Sequence, residues 1–110
     1  ILAFLPDSER NAYLGRTELL AHTAMTVTDR AKLEEILAFG MEQGFFEEKE
    51  ENEEGIRCVG AAILDLRGYP VGAVSVSSPS YRFSDEQSRS IGVFVRDTAL
   101  AVSRGLGYGK

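Results

Sequence analysis

Two β-rich runs separated by a short turn constrain this chain more than any other feature of its sequence. Residues 57–64 and 71–77 are rich in Val, Ile, Ala and Ser, and the segment DLRGYP over residues 65–70 joins them. Asp and Gly are turn formers, and two strand-like runs around such a segment are typical of a β-hairpin. The sequence therefore predicts an antiparallel hairpin at the centre of the fold.

Side chains alternate between the two faces of a strand, so the hairpin should have two unlike faces. One face would be rich in Val and Ile and should be covered by a helix. The other face would carry small and polar residues, namely Cys58, Gly60, Ala62, Ala73, Ser75 and Ser77. If the loop holds an even number of residues, Cys58 lies opposite Ser75, and a bulge would undo this arrangement.

Two helices are predicted before the hairpin. The first covers residues 7–16, with Asp7 as its N-cap. The second is capped by Thr28 or Asp29 and stopped by Gly44. Its apolar residues fall at helical spacing, which predicts one packed face: Leu33, Ile36, Leu37, Gly40 and Met41.

A third, longer helix is predicted after the hairpin. Ser84 with Gln87 three residues later forms a capping box, and the helix should end near Arg104. Its sheet-covering side is expected to carry Ile91, Phe94, Val95, Thr98, Ala101 and Val102. Helices that alternate with an antiparallel hairpin indicate an α+β fold rather than a parallel βαβ fold.

The charge of the chain is concentrated in one segment. The net charge is −5, and residues 47–54 hold six acidic residues and one lysine, so the acidic and basic residues elsewhere balance. This segment is predicted to be solvated surface or an edge strand whose charges discourage pairing with other chains. Because no basic stripe is present, direct DNA contact by these residues is not expected.

Length and composition limit the number of domains, the location of the protein and the kinds of site that it can contain. The 110 residues with 44% hydrophobic content predict one globular domain, without a membrane span or a signal peptide, and a cytoplasmic location. Residues 1–5 resemble the end of a helix, so we expect the chain to be part of a longer protein. The lone Cys58 predicts neither an internal disulfide nor a metal site, and no cofactor is expected.

The small-residue face of the hairpin has two interpretations. Small residues leave volume, and a hollow lined by a thiol and hydroxyls suits a small polar ligand. Alternatively, Gly60 and Ala62 admit a close-packed helix while Ser75 and Ser77 face water. Cys58 could also be a catalytic thiol with His22 as its base, but the strongly acidic preceding segment disfavours a reactive thiolate.

Several segments resemble one known family. The segment EEGIRCVGAAILD over residues 53–65 is similar to the pattern "E.GvrCvAaPvfD" of the IclR-type bacterial transcription regulators. Gly68, residues 71–79 and Arg82 resemble that family's "G.vvaAlsvsgP..R". Residues 1–6 and 26–45 also fit the family, so the resemblance extends over the whole chain.

The resemblance implies a GAF-like effector-binding domain, an antiparallel sheet flanked by helices, that senses a small molecule and performs no catalysis. It also implies that the first strands of this domain and an N-terminal winged helix-turn-helix, which contacts DNA, lie outside residues 1–110. The ligand-binding residues would be Cys58, Ser75, Ser77, Ile56 and Glu48. The family commonly has Asp at the position of Glu48.

The implied ligand is a small organic acid, a carbonyl compound or a sugar acid. The implied assembly is a homodimer or tetramer, and no membrane partner is expected. Two alternatives remain open, namely a GAF-like thiol enzyme that uses Cys58, and a pure oligomerisation module.

Overall fold

The computed structural model describes residues 1–109, which form three α-helices and one three-stranded antiparallel sheet. The elements follow in the order α1 (Asp7–Arg16), α2 (Arg30–Gln43), β1 (Phe46–Lys49), β2 (Ile56–Leu64), β3 (Pro70–Pro79) and α3 (Asp85–Gly105). Short 3-10 turns precede α1 at Leu2–Phe4 and α3 at Ser80–Arg82. The predicted α+β class is confirmed.

The predicted ends of α2 and α3 are confirmed in detail. Asp29 caps α2 by accepting a hydrogen bond of 3.0 Å from the amide of Ala31, and Gly44 ends the helix in the left-handed conformation with φ of 89°. Ser84 and Gln87 form the reciprocal capping box of α3. These contacts are local, so the sequence alone specifies them.

The predicted cap of α1 is wrong by one position. Pro6 occupies the N-cap and Asp7 is the first residue inside the helix. The Asp7 carboxylate instead accepts a hydrogen bond from the guanidinium of Arg10, one turn later. An acidic side chain in the first turn still favours the helix, because it lies near the positive end of the helix dipole.

The hairpin loop spans residues 65–69 and is organised by Asp65. One carboxylate oxygen of Asp65 accepts hydrogen bonds from the amides of Arg67 (2.8 Å) and Tyr69 (3.0 Å). Gly68 adopts a φ of 76°, which a residue with a Cβ rarely adopts. Asp and Gly thus act as the turn formers that the sequence predicts.

The register of the hairpin differs from the predicted one. Cys58 lies opposite Ser77, and Gly60 lies opposite Ser75. The loop has an odd number of residues. Without a bulge, this loop length would place Cys58 opposite Val76 instead of a serine. A bulge between Ile63 and Leu64 shifts the pairing by one residue and restores the common face. The predicted pair of Cys58 with Ser75 is wrong, whereas their placement on one face is confirmed.

Helix α3 covers the Val- and Ile-rich face of the sheet. The core contains Phe45, Val59, Ala61, Phe83, Val95 and Ala99, with Ile63, Val74 and Ile91 packed against it. The side of α3 that faces the sheet is formed mainly by small residues, namely Ser88, Gly92, Val95, Ala99 and Ser103. The predicted core position of Phe94 is wrong, because its side chain is 70% exposed.

An ion cluster fastens the start of α3 to the sheet. Arg57 donates hydrogen bonds to the backbone oxygen of Phe83 (2.7 Å) and to the Asp85 carboxylate (2.9 Å). The ammonium of Lys49 lies 3.2 Å from the same carboxylate oxygen. The cluster therefore joins β1, β2 and the first turn of α3.

Asp85→Asn is expected to destabilise the fold at neutral pH, and the effect should shrink in acid. Hydrogen bonds from Arg57 and then Lys49 hold the pKa of Asp85 below its ordinary value. Because folding lowers the pKa of Asp85, its ionised carboxylate stabilises the fold at pH values above the unfolded pKa of about 3.9. This stability is lost as the pH falls through the folded pKa. Urea unfolding of both proteins near neutral pH and in acid measures the difference, and an equal difference in acid would contradict the prediction.

No helix within residues 1–109 has the length and apolar character needed to cross a membrane.

Candidate functional site

The five residues that sequence reasoning assigns to a ligand site lie on one face of the sheet. Glu48 of β1, Cys58 of β2 and Ser77 of β3 are opposite one another in a row across the three strands. Ser75 lies opposite Gly60 in the next row, and Ile56 lies opposite Pro79 at the other side of Cys58. Since α3 packs on the reverse face, these residues occupy the side that the main helix leaves open.

The side chains in the middle of this face are short, because the residues there are small. Gly60 has no side chain, and a Cβ built there would make ordinary contacts with the oxygen of Val74 at 3.5 Å and the Cβ of Ser75 at 3.6 Å. Ser75 and Ser77 are exposed, whereas Ile56 and Cys58 are half-buried. The face therefore presents hydroxyl groups over a small-residue floor, with Ile56 as an apolar border. Hydroxyl groups can donate to a carboxylate or carbonyl oxygen and can also accept.

Glu48 is partly committed to its own loop. One of its carboxylate oxygens accepts hydrogen bonds from the amides of Glu51 (2.8 Å) and Asn52 (2.9 Å). The turn between β1 and β2 is also held by the loop before α2, because the hydroxyls of Thr23 and Thr26 donate hydrogen bonds to the backbone oxygens of Glu50 and Glu51. Glu48 thus orders the turn between β1 and β2 beside the open face.

Cys58 is a free cysteine, and its sulfur lies 3.9 Å from the backbone oxygen of Val59. A reactive thiolate needs a positive charge close by. The cation next to it in sequence, Arg57, points to the other face of the sheet and is bound to Phe83 and Asp85. Arg57 is therefore not placed to stabilise a thiolate at this position.

Sequence reasoning missed Phe46 on this face. Phe46 lies opposite Gly60, in the same row as Ser75. Its ring rests on Gly40 of α2, where a Cβ would come within 2.0 Å, and it meets the ring of Phe4 edge to face at 6.3 Å. Alternation along β1 was the available signal, because Phe46 precedes Glu48 by two residues.

Within residues 1–109, no group of three or more His, Cys, Asp or Glu side chains is placed to hold a metal ion.

The sequence matches known transcriptional regulators. The family model described as bacterial transcriptional regulator IclR C-terminal matches residues 1–104. The chain is 32% identical over 108 residues to the HTH-type transcriptional regulator XynR of Escherichia coli K12, which covers 98% of this chain and 43% of XynR. It is 36% identical over 103 residues to the E. coli K12 HTH-type transcriptional repressor AllR, covering 94% of this chain and 38% of AllR.

Solved structures of similar proteins share the fold. The crystal structure of Thermotoga maritima IclR matches with a TM-score of 0.94 and 39% identity, over 98% of this chain and 44% of that chain. The C-terminal domain of the E. coli regulator KdgR matches with a TM-score of 0.87 and 32% identity, over 97% of this chain and 65% of that domain. The chain thus spans about two fifths of the curated relatives' length.

Proposed function

The chain belongs to the IclR family of bacterial transcriptional regulators, and on that premise we propose that it forms part of a domain that binds a small-molecule effector on the open face of its sheet. The observation that carries this proposal is the register of the sheet. It brings the Cys58 thiol and the hydroxyls of Ser75 and Ser77 to one face, beside the ordered turn that Glu48 holds.

The chemistry of this face favours a small organic acid, a carbonyl compound or a sugar acid. The two hydroxyls and the thiol would donate hydrogen bonds to the oxygens of such a ligand. Ile56 would bound the site as an apolar wall, and the missing side chain at Gly60 would let the ligand lie close to the strands. Glu48 would act through its remaining carboxylate oxygen and through the turn that it orders.

We further infer that this chain is one part of a larger sensing domain and regulator. The KdgR domain extends beyond the region that this chain matches, so additional strands of the same domain would border the open face. A helix-turn-helix segment elsewhere in the protein would contact DNA, as the names of XynR and AllR indicate for those relatives.

Ligand binding would act on a homodimer or tetramer in the cytoplasm, because the ligand would bind one arrangement of the subunits more tightly than another. No catalytic step belongs to this function.

Replacing both Ser75 and Ser77 by Ala should weaken effector binding by roughly tenfold or more while leaving the fold unchanged, since two hydrogen bonds are lost at an exposed face. Isothermal titration calorimetry with a panel of 2-oxo acids and sugar acids measures this affinity. Ser78→Ala is the matched control, because Ser78 lies on the same strand opposite Arg57 and faces the other side. An unchanged affinity in the double variant would contradict the assignment.

A further inference from the structure

A hollow lies between α2, the loop before it and the outer edge of β1. Its volume is about 390 Å³, which lies in the range of small-molecule sites. Five apolar side chains line it, namely Met25, Val27, Ile36, Phe39 and Phe46. Met25 and Phe39 are each 60% exposed. The hollow is therefore an apolar surface open to solvent, and an occupant needs an apolar body to cover it.

The charge at this hollow is negative. Glu35 of α2 and Glu51 of the acidic turn both line it. Lys49 also contributes to the lining, but its ammonium is bound to Asp85, which begins α3 on the other face of the sheet. The two carboxylates are thus not neutralised by this lysine.

The backbone of β1 explains how Glu47 and Lys49 line the hollow. The amide of Glu50 donates to the oxygen of Ile56 at 3.1 Å, which makes these two residues a hydrogen-bonded pair. Because such pairs alternate along an antiparallel ladder, the peptide groups of residues 47 and 49 point away from β2. They therefore face the hollow with their backbone, while their side chains lie on the α3 face.

The surroundings of Glu51 disfavour the ionised form of its carboxylate. Partial burial raises its pKa, and the charge of Glu48 adds to this effect, whereas backbone hydrogen bonds from Val27 and Lys49 and the charge of Lys32 oppose it. A cation beside the carboxylate would offset the lost solvation.

We propose that the hollow between α2 and β1 is a second binding site, which takes a small molecule with an apolar body, such as one aromatic ring, and a protonated amine. The ring would lie among Ile36, Phe39 and Phe46, and the amine would pair with Glu51 and Glu35. The site does not include Cys58, Ser75 or Ser77, so its polar groups differ from those of the effector site. Phe46 is shared, because it borders both the hollow and the open face.

The test is calorimetric titration of the protein with 2-phenylethylamine as the probe. Glu51→Gln and Glu35→Gln should each raise the dissociation constant by about fivefold, because each removes one negative charge from the lining of the hollow. The glutamine oxygen at position 51 can still accept the backbone hydrogen bonds, so the fold should persist. Glu54→Gln is the matched control from the same acidic segment, and Glu54 does not line the hollow.

The uncharged 2-phenylethanol and the anionic 3-phenylpropionate should bind more weakly than the amine. The Ser75→Ala, Ser77→Ala double variant should bind the amine as the wild type does, which separates this site from the effector site. The proposal is overturned by the absence of saturable amine binding up to about 10 mM, by equal affinity for the alcohol, or by unchanged affinity in Glu51→Gln.

Discussion

Gly92→Ala should lower the free energy of unfolding by about 2 kcal/mol, although alanine is the better helix former by about 1 kcal/mol. Gly92 lies on the buried side of α3, against the ring of Phe45. A Cβ there would come within 2.3 Å and 2.4 Å of two ring atoms of Phe45, whose side chain is only 4% exposed. Because the ring is enclosed in the core, the helix must move away or the ring must leave its place.

Gly105→Ala provides the control within the same helix. A Cβ at Gly105 would meet nothing within 4 Å, so this change should leave the stability unchanged or raise it slightly. Urea unfolding measures both variants, and Phe45→Leu should reduce the effect of Gly92→Ala if the clash causes it. A Gly92→Ala protein as stable as the wild type would show that α3 can shift at no cost.

The sequence predicts those parts of the fold that depend on neighbours along the chain. The hairpin, the caps at Asp29 and Ser84, and the stop at Gly44 each follow from a few adjacent residues. Strand alternation also puts Ser75 and Ser77 on one face of β3, but whether Cys58 of β2 shares that face depends on the register. The resemblance to the IclR family is what assigns all three residues to one site.

The pairing across the hairpin could not be predicted from the sequence. The bulge lies next to Leu64, whose amide donates a hydrogen bond to Ser103 of α3, a residue 39 positions later in the chain. A shift of one residue would have put Cys58 opposite Val76 and divided the site between two faces. The strand sequence carries no local signal for this insertion.

The predicted buried side of α3 is right at Ile91 and Val95, which lie in or against the core, and wrong at Phe94 and Val102. Hydrophobic periodicity favours the stripe with Phe94 and Val102, but these side chains are 70% and 43% exposed. The helix instead turns its small residues toward the sheet, since Gly92 and Ala99 allow close approach to Phe45 and β2. Close packing through small residues leaves a weak hydrophobic signal, so periodicity selects the neighbouring stripe.

The hollow between α2 and β1 was also beyond sequence reasoning. Two of its charged residues, Glu35 and Glu51, are distant along the chain. The acidic segment predicted a solvated surface, yet the structure turns Glu48 to the turn amides and Glu51 toward the hollow. The surroundings of each carboxylate depend on the strand pairing and on the position of α2, and the sequence of the acidic segment specifies neither.

Ser103→Ala should also destabilise the protein by about 2 kcal/mol, because it leaves a buried amide without a partner. Ser103 is 2% exposed, and its hydroxyl accepts a hydrogen bond of 2.9 Å from the amide of Leu64. The same hydroxyl donates to the oxygen of Ala99 at 2.7 Å. Leu64 is the residue at which the bulge interrupts the ladder, so α3 supplies the acceptor for its amide.

Urea unfolding and amide hydrogen exchange together test this role. Loss of the Ser103 hydroxyl should lower the unfolding midpoint and speed exchange at Leu64 more than elsewhere in β2, because the end of the hairpin loses its anchor to α3. Ser90→Ala, at an exposed position of α3, should change neither. Unchanged exchange at Leu64 in Ser103→Ala would mean that the bulge, and with it the register that aligns Cys58 with Ser77, is held without this contact.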